Sequence, residues 1–525
     1  MNHIAMRPRL ESTMFFLLGF VLVLAGTSHA DEHHHGVNAQ EKLGQITFPT
    51  SCSPAVQKTL ERGVAMIHSF WYDAAAAQFT EVTIKDPTCA IAYWGQAMAT
   101  YHMGWGAPTK GELSKGFKQI EKADSLPSRT LREAAYIRTL MALYRDYDRV
   151  SDEKRLAAYA EESKKLHEAF PDDQEATAFY GHALLNSAPR DENDFATTKK
   201  AIAILQTVFD ANPNHPGAAH YLIHACDNPE LAKLALPAAL RYAEIAPASP
   251  HALHMPSHIF ARLGMWQEDI KSNLAALAAA RQKSATPIGA ENQIHSIHFL
   301  EYAYLQLGDY AKAHAMLDEF AKVNGASVSP GVGDYYNWAR ASLPSLFLLE
   351  TGDWKGAAAL TPPPGAEPQS EAITYWARAV GAGHMNDAAA AQRAVQRYNA
   401  MVEAVKKGEK AYVAQYMEPS GNEAQAWQDF AEGKNDEAIR LMRSVADKQD
   451  VRGKGEVELP AREMLADMLL AANRPEEALA EYEASMKIDP NRLHALSGAA
   501  HAAELAHDEV KTKEYVARLP AVVKP

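Results

Sequence analysis

Histidine is the residue type whose number and spacing most clearly suggest chemistry in this chain. Eight of its 22 histidines fall between residues 215 and 298, more than twice the share that an even distribution would give. Two pairs have the form His-x-x-x-His, namely His220 with His224 and His254 with His258. Residues four apart lie on one face of a helix, with Cβ atoms about 6 Å apart, so both imidazoles can bind one metal ion. The pairs therefore predict a site for Zn²⁺ or Cu²⁺, two ions that imidazole ligands suit.

The histidines recur at two spacings along the chain. The two His-x-x-x-His pairs are offset by 34 residues, whereas His251 and His254 align with His295 and His298 at an offset of 44. This recurrence predicts that the rings converge in one groove, although each could instead pack in the interior or bond a backbone carbonyl. The predicted metal ligands are His220, His224, His254, His258, His295 and His298, with His251, Asp227, Glu301 and Cys226 as possible further ligands.

Pro256, inside the second pair, leaves the local structure open. Proline disfavours a helical conformation at the preceding residue and removes one backbone donor. Either a helix begins near Pro256, in which case His254 and His258 need not share a face, or a continuous helix is kinked there.

The elements that must position these histidines are predicted to be helices. Ala-rich segments with a helical period alternate with short turns, and strand-like alternation is nearly missing. Glycines followed closely by an aromatic residue occur at Gly264, Gly308 and Gly352, 44 residues apart each time. The segments Leu305–Phe320 and Asn473–Pro490 show a turn, an alanine-containing helix and a terminal stop.

These segments resemble the tetratricopeptide repeat family, whose helices pack closely at small residues and around an aromatic one. The resemblance covers most of residues 55–510 and implies an all-α solenoid of antiparallel helix pairs, a superhelix with a concave groove. It also implies a protein or peptide partner in that groove. The residues expected to line it are His182, Tyr221, Tyr302, Tyr335 and Trp338.

Charge and motifs bound the function further. The chain has 52 basic and 65 acidic residues, a net charge of −13, without a basic block, so nucleic acid is not an expected partner. Nucleophile-elbow, Walker, dinucleotide and haem motifs are missing, which favours a binding or scaffold role. The alternative is a metal-dependent hydrolase or oxidoreductase, with Glu301 or Glu291 beside an open coordination position.

The N-terminus resembles an export signal. Arg7 and Arg9 precede the apolar run 14–24, and Ala30 ends a plausible cleavage site, so residues 1–30 are predicted to be a signal peptide. The mature protein is then expected in the periplasm or outside the cell, without a transmembrane segment. An oxidising location would permit a disulfide between Cys52 and Cys89.

Four regions are predicted after the signal peptide. Residues 31–50 form a tail that contains the His33–His35 tract, and residues 51–360 form His-rich helical repeats. A Pro-rich elbow at 361–370 then leads to C-terminal repeats over 371–525.

Overall fold

The computed structural model describes residues 42–523, except 105–106, 128, 190–194, 283–286, 325–332, 409, 453–454 and 456. Over these residues the chain forms helices joined by short turns, and no β-strand occurs. The all-α prediction is therefore confirmed. The predicted signal peptide and the His33–His35 tract lie outside the described residues.

The helices are mostly three to five turns long. The first eight are α1 (Gln57–His68), α2 (Tyr72–Lys85), α3 (Ala90–Tyr101), α4 (Lys110–Ser125), α5 (Leu131–Tyr144), α6 (Asp152–Ala169), α7 (Gln174–Ser187) and α8 (Ala196–Ala211). The next seven are α9 (Pro216–Ala225), α10 (Ala232–Ile245), α11 (Pro250–His254), α12 (Pro256–Arg262), α13 (Trp266–Arg281), α14 (Pro287–Gln306) and α15 (Tyr310–Phe320).

The remaining helices follow the same pattern. They are α16 (Gly333–Glu350), α17 (Trp354–Ala359), α18 (Pro368–His384), α19 (Ala388–Lys407), a 3₁₀ helix (Ala411–Tyr416), α20 (Glu418–Ala431), α21 (Asn435–Arg452), α22 (Ala461–Ala471), α23 (Pro475–Ile488), α24 (Leu493–Leu505) and α25 (Glu509–Val523).

Most helices pack mainly against the helices that precede and follow them in the sequence, as in a stack of helical hairpins. The first helices of successive hairpins also contact each other, for example α7 with α9, α14 with α16 and α22 with α24. This arrangement is that of a tetratricopeptide-like solenoid. Over the described residues, none of the helices has the length and apolar character needed to cross a bilayer.

The glycines spaced by 44 residues end equivalent helices. Gly264, Gly308 and Gly352 have φ values of +63°, +70° and +70°, a left-handed conformation that glycine adopts without a Cβ penalty. At Gly264 the amide donates to the Ala261 carbonyl and the next amide donates to the Phe260 carbonyl, which is a Schellman motif. The repeat spacing in the sequence thus marks the end of one helix in each unit.

Small residues set the distance between paired helices. A Cβ atom at Gly95 would lie 2.4 Å from the ring of Phe79, and one at Gly63 would lie 2.8 Å from the same ring. The Phe79 side chain, fully buried on α2, is therefore held between α1 and α3. This is the close packing around an aromatic residue that the family resemblance implied.

The C-terminal helices pack back onto the segment that carries the histidines. The Trp266 indole donates to the Asn491 carbonyl at 2.8 Å. Arg492, which is fully buried, donates to Glu463 at 2.6 Å and to Glu350 at 2.8 Å, and it also bonds the Tyr302 hydroxyl. These contacts join α24 to α14, α16 and α22 across the array.

Two further sequence predictions concern local connections. Cys52 and Cys89 are joined by a disulfide, which ties the segment before α1 to the start of α3. The Pro-rich segment 361–370 lies between α17 and α18, and α18 packs against both α16 and α17. The division of the chain at this segment stays a prediction.

Candidate metal centres

The first histidine cluster is built by α9 and α11. Pro216 begins α9, and the Nδ1 atom of His215 accepts the Ala218 amide at 3.1 Å, which caps the helix. His220 and His224 then share one face, and their Nε2 atoms are 3.0 Å apart. The Nε2 atom of His251, on α11, lies 3.1 Å from that of His220. We call these three residues triad A.

The second cluster, triad B, consists of His254 on α11, His258 on α12 and His295 on α14. The Nε2 atom of His258 lies 2.9 Å from that of His254 and 3.4 Å from that of His295. A new helix does begin at Pro256, but Met255 keeps helical dihedral angles of φ −51° and ψ −34°. The two short helices therefore run on from each other, and His254 and His258 face the same point.

The spacing of the nitrogen atoms fits a metal ion in each triad. A tetrahedral ion with metal–nitrogen bonds of about 2.0–2.1 Å separates its nitrogen ligands by about 3.3 Å. Two of the three nitrogen–nitrogen distances in each triad, those given above, are 2.9–3.4 Å. In both triads the three ligand atoms lie within 4.8 Å of one another.

Hydrogen bonds at Nδ1 fix which nitrogen of several rings carries the proton. The Nδ1 atom of His220 lies 2.6 Å from the His68 carbonyl oxygen, and that of His254 lies 2.6 Å from Oδ1 of Asn273. Both oxygens can only accept, so Nδ1 donates and Nε2 is left with a lone pair when the ring is neutral. This is how metal-bound histidines are usually oriented.

Triad B continues the same arrangement. The Nδ1 atom of His258 donates to Oδ2 of Asp227 at 2.8 Å, and Nδ1 of His295 lies 2.7 Å from the Tyr335 hydroxyl. The neutral rings of His254 and His258 therefore direct two Nε2 lone pairs at each other across 2.9 Å. Only a proton or a metal cation between them makes such a contact favourable.

In triad A, burial disfavours protonation of the imidazole rings, so a proton is not favoured as the cation between their Nε2 atoms. Desolvation lowers the pKa of both His220 and His251 well below the ordinary value, and the neighbouring His224 ring lowers each pKa further. Neutral imidazoles are the form that binds a transition metal.

Each triad reaches solvent through one histidine. His224 in triad A and His295 in triad B are partly exposed, whereas their other members are buried. Phe70 packs on triad A, edge-on to His220 at 4.4 Å between ring centroids and stacked on His224 at 5.3 Å. This phenylalanine has a φ of +51°, a costly conformation for a residue with a Cβ atom.

Asp227 was predicted as a further ligand, but the structure gives it a supporting position. Its carboxylate accepts from Nδ1 of His258 and, at 3.0 Å, from Nε of Arg262, so it orients a ligand from outside the triad. Asn273 has the same role for His254, and its own amide group donates to Asp269 at 2.8 Å. Asn273 was not foreseen, because an asparagine in the middle of α13 gives no local signal.

Three other predicted ligands lie outside both triads. His298 is buried edge-on to Trp338, with ring centroids 4.9 Å apart. Glu301 is fully buried, and burial raises its pKa well above the ordinary range, as for a neutral carboxyl group. Cys226 is a buried free thiol whose pKa burial raises to about 12. His251, predicted only as a possible ligand, is a full member of triad A.

A third buried group combines His68, Glu175 and His215. The Glu175 carboxylate lies 2.6 Å from Nε2 of His68 and 3.2 Å from Nε2 of His215. Burial alone would raise the pKa of Glu175, but His215 and His68 together hold it below the ordinary range. Since Nδ1 of His215 accepts the Ala218 amide, the proton of the neutral ring is on Nε2, where it faces Glu175. Glu175 is therefore held by a hydrogen bond with His68 and by the close approach of His215.

The predicted groove residues divide into two sets. His182, Tyr221 and Tyr302 are buried in the helix stack, so they do not line an open groove. Tyr335 and Trp338 instead stack in parallel and line a cavity of about 770 Å³. The Tyr335 hydroxyl, at 2.7 Å from His295, connects this cavity to triad B.

Comparisons with known proteins find a likeness to solved structures at low sequence identity. No protein-family model and no curated protein matches the chain. A human IFIT1 dimer with m7Gppp-AAAA aligns at 12% identity and a TM-score of 0.39, over 89% of this chain and 95% of that one. The APC/C hetero-tetramer Cut9-Hcn1 aligns at 12% identity and a TM-score of 0.36, over 85% and 76%. The P58(IPK) TPR domain aligns at 17% identity and a TM-score of 0.19, over 87% and 99%. At these TM-scores the likeness says nothing about function.

Proposed function

We propose that this chain is a transition-metal protein that holds two ions, one in each histidine triad, within a tetratricopeptide-like scaffold. The observation that carries the proposal is the convergence of six Nε2 atoms in two groups of three, with the opposite nitrogen of His220, His254 and His258 donating to a fixed oxygen. A site that only packs histidines has no need to direct lone pairs at each other.

The ligand set favours copper, with zinc as the alternative. All six ligand atoms of triads A and B are imidazole nitrogens, which suit copper and zinc, whereas calcium and magnesium prefer oxygen ligands. Among divalent first-row metals, Cu²⁺ binds most tightly to a given nitrogen site.

Metal-dependent catalysis, as a hydrolase or an oxidoreductase, is the second candidate function. Three protein ligands leave a coordination position for water or a substrate atom, as in catalytic zinc sites. Glu291 lies one helical turn before His295 on α14, so a carboxylate is placed on the same face as a ligand of triad B.

The location and the partner complete the proposal. Export to the periplasm or the cell exterior is supported by the charged and apolar N-terminal sequence and agrees with the disulfide between Cys52 and Cys89. The stacked hairpins support binding of a protein, a peptide or a smaller ligand on the concave side, with the histidine triads as the functional centre.

The test is metal stoichiometry in untagged protein. All variants carry serine at residues 33–35, so that the N-terminal histidine tract does not contribute. After incubation with Cu²⁺ or Zn²⁺ and dialysis, we expect elemental analysis to find two equivalents of metal per chain. His220→Gln with His251→Gln should retain one equivalent, and so should His254→Gln with His258→Gln. His501→Gln, at an exposed position on α24, should retain both. A chain that stays metal-free, or triad variants that still bind two ions, would contradict the proposal.

A further inference from the structure

The cavity next to triad B is formed by several parts of the C-terminal array and opens to solvent. Its volume is about 770 Å³, within the range of about 300–1,000 Å³ that is typical of small-molecule sites. α16, α18, α20 and α21 supply most of its walls, and the 3₁₀ helix Ala411–Tyr416 lies at one side. A site built from packed helices presents its walls in a fixed geometry.

The walls are mainly aromatic and aliphatic. Tyr335 and Trp338 stack with an interplanar angle of 9° and ring centroids 5.3 Å apart. Trp376 is part of the same lining, and its indole donates to Glu423 at 2.8 Å, which fixes the plane of the ring. Flat rings that are held in place favour a flat ligand, which can stack on them or meet them edge-on.

The polar groups of the lining indicate a ligand without net charge. Side-chain amides and hydroxyls are spread around the cavity, among them Gln369, Asn422 and Ser342. The charged groups of the lining are mixed in sign, with three carboxylates and two lysines. Glu423 accepts from Trp376, Lys448 lies 3.9 Å from the Glu418 carboxylate, and Glu458 accepts the Gly455 amide at 3.1 Å, while Lys410 is the second lysine. The balance favours hydrogen-bonding substituents on the ligand over an ionic group.

Large aromatic side chains at the 3₁₀ helix remain open to solvent. Tyr412 is 65% exposed and Tyr416 is 58% exposed, although both contribute to the lining. Exposed aromatic residues beside a concave site are typical of ligand entry and capture.

We propose that this cavity binds a small, uncharged, planar aromatic molecule of one or two rings, and that the bound molecule lies one tyrosine away from triad B. The Tyr335 ring faces the cavity while its hydroxyl is 2.7 Å from Nδ1 of His295. The binding step itself depends only on the cavity walls, so it stands apart from the metal proposal. If triad B holds a metal ion, a planar aromatic molecule bound in this cavity would be the substrate class that lies beside that ion.

The experiment is calorimetric titration of the metal-free full chain, treated with EDTA, with 2-naphthol and its saturated analogue decahydro-2-naphthol. We expect 2-naphthol to bind at least about tenfold more tightly, since two aromatic contacts of ordinary strength account for that factor. Trp338→Leu should weaken 2-naphthol binding by about the same factor. Tyr412→Leu tests the entrance at an exposed position where the fold is not at risk. Tyr310→Leu, an exposed tyrosine on α15 outside the cavity, is the matched control and should bind normally.

Several outcomes would overturn the inference. These are no 2-naphthol binding up to millimolar concentration, equal binding of the saturated analogue, or unchanged binding by a folded Trp338→Leu variant. Tighter binding of cellotetraose or of a short peptide than of 2-naphthol would assign the cavity to another ligand class. Because the chain is metal-free throughout, failure of the metal proposal leaves this result unaffected.

Discussion

His251 and His254 lie one turn apart on α11, yet their Nε2 atoms belong to different metal-ligand triads. The centroids of their rings are 6.3 Å apart. A helix of five residues, Pro250–His254, therefore joins the two candidate metal centres. Any shift of this helix changes both centres together.

The triads follow one rule along the solenoid. Each takes two histidines spaced by four from one hairpin and a third histidine from the next hairpin. The paired ligands of triad B lie 34 residues after those of triad A, and the third ligand lies 44 residues after its counterpart. Both spacings in the sequence therefore have a structural counterpart. The offset of 34 residues relates the paired ligands of the two triads, and the offset of 44 residues relates their third ligands.

Asp227 should support metal binding without touching the metal. Asp227→Ala removes the acceptor for Nδ1 of His258, so affinity at triad B should fall by about 10–100-fold, as is usual when such a partner is lost. Competitive titration with a chromophoric chelator would measure this. Triad A should be unchanged, and Asp210→Ala, at an exposed position on α8, is the control. An equal loss at both triads would indicate a general structural effect.

Gly95 should not tolerate a methyl group. A Cβ atom there would lie 2.4 Å from Phe79, so Gly95→Ala should lower the free energy of unfolding by about 1–3 kcal/mol through overpacking. Gly111→Ala is the matched change on α4, where the nearest atom would be 3.9 Å away, and it should be neutral or slightly stabilising. Urea unfolding of both variants measures the difference in stability between them. Similar midpoints would contradict the prediction, since they would show that α1, α2 and α3 can move apart.

The disulfide should stabilise the N-terminal hairpins. Cys52 and Cys89 are 37 residues apart, and closing a loop of that length restricts the unfolded chain by about 3–4 kcal/mol. The Cys52→Ser, Cys89→Ser double variant should lose stability of that order in guanidinium unfolding. The wild type under a reducing agent should behave like the variant. A double variant as stable as the oxidised wild type would contradict this expectation.

His494 should make stability depend on alkaline pH. Burial would lower its pKa, but the Asp467 carboxylate at 2.9 Å raises the pKa to about 9. Because the folded pKa lies above the unfolded value of about 6.5, the stabilisation is fully present below pH 6.5 and is lost as the pH rises through 9.

The measurement is the difference in free energy of unfolding between the wild type and His494→Gln, taken from pH 6 to pH 10. This difference should shrink across that range, whereas the exposed His501→Gln variant should differ little from the wild type at any pH. If this difference in free energy of unfolding stays constant with pH, the ion pair of His494 with Asp467 does not contribute to stability as expected.

The helical fold could be predicted because its signals are local. Turn glycines such as Gly264 and Gly308 and the alanine-rich helix faces are visible in any window of about twenty residues. The His-x-x-x-His pairs could be found for the same reason, since one helix sets their geometry.

The rest of the site depends on how helices are rotated against each other. His295 and His298 are both on α14, and only the packing of α14 on α11 and α16 directs the first to triad B and the second to Trp338. Tyr221 and Tyr302 likewise look like groove residues in the sequence, but their helices turn them inward. Sequence spacing alone carries no information about such rotations.

The sharing of ligands between neighbouring hairpins has a mechanical consequence. A linear array with only nearest-neighbour packing can lose its units one after another, beginning from a frayed end. Two ions that bridge α9, α11, α12 and α14 would make that stretch open all at once, as a single block, and hydrogen exchange there would slow together on metal addition.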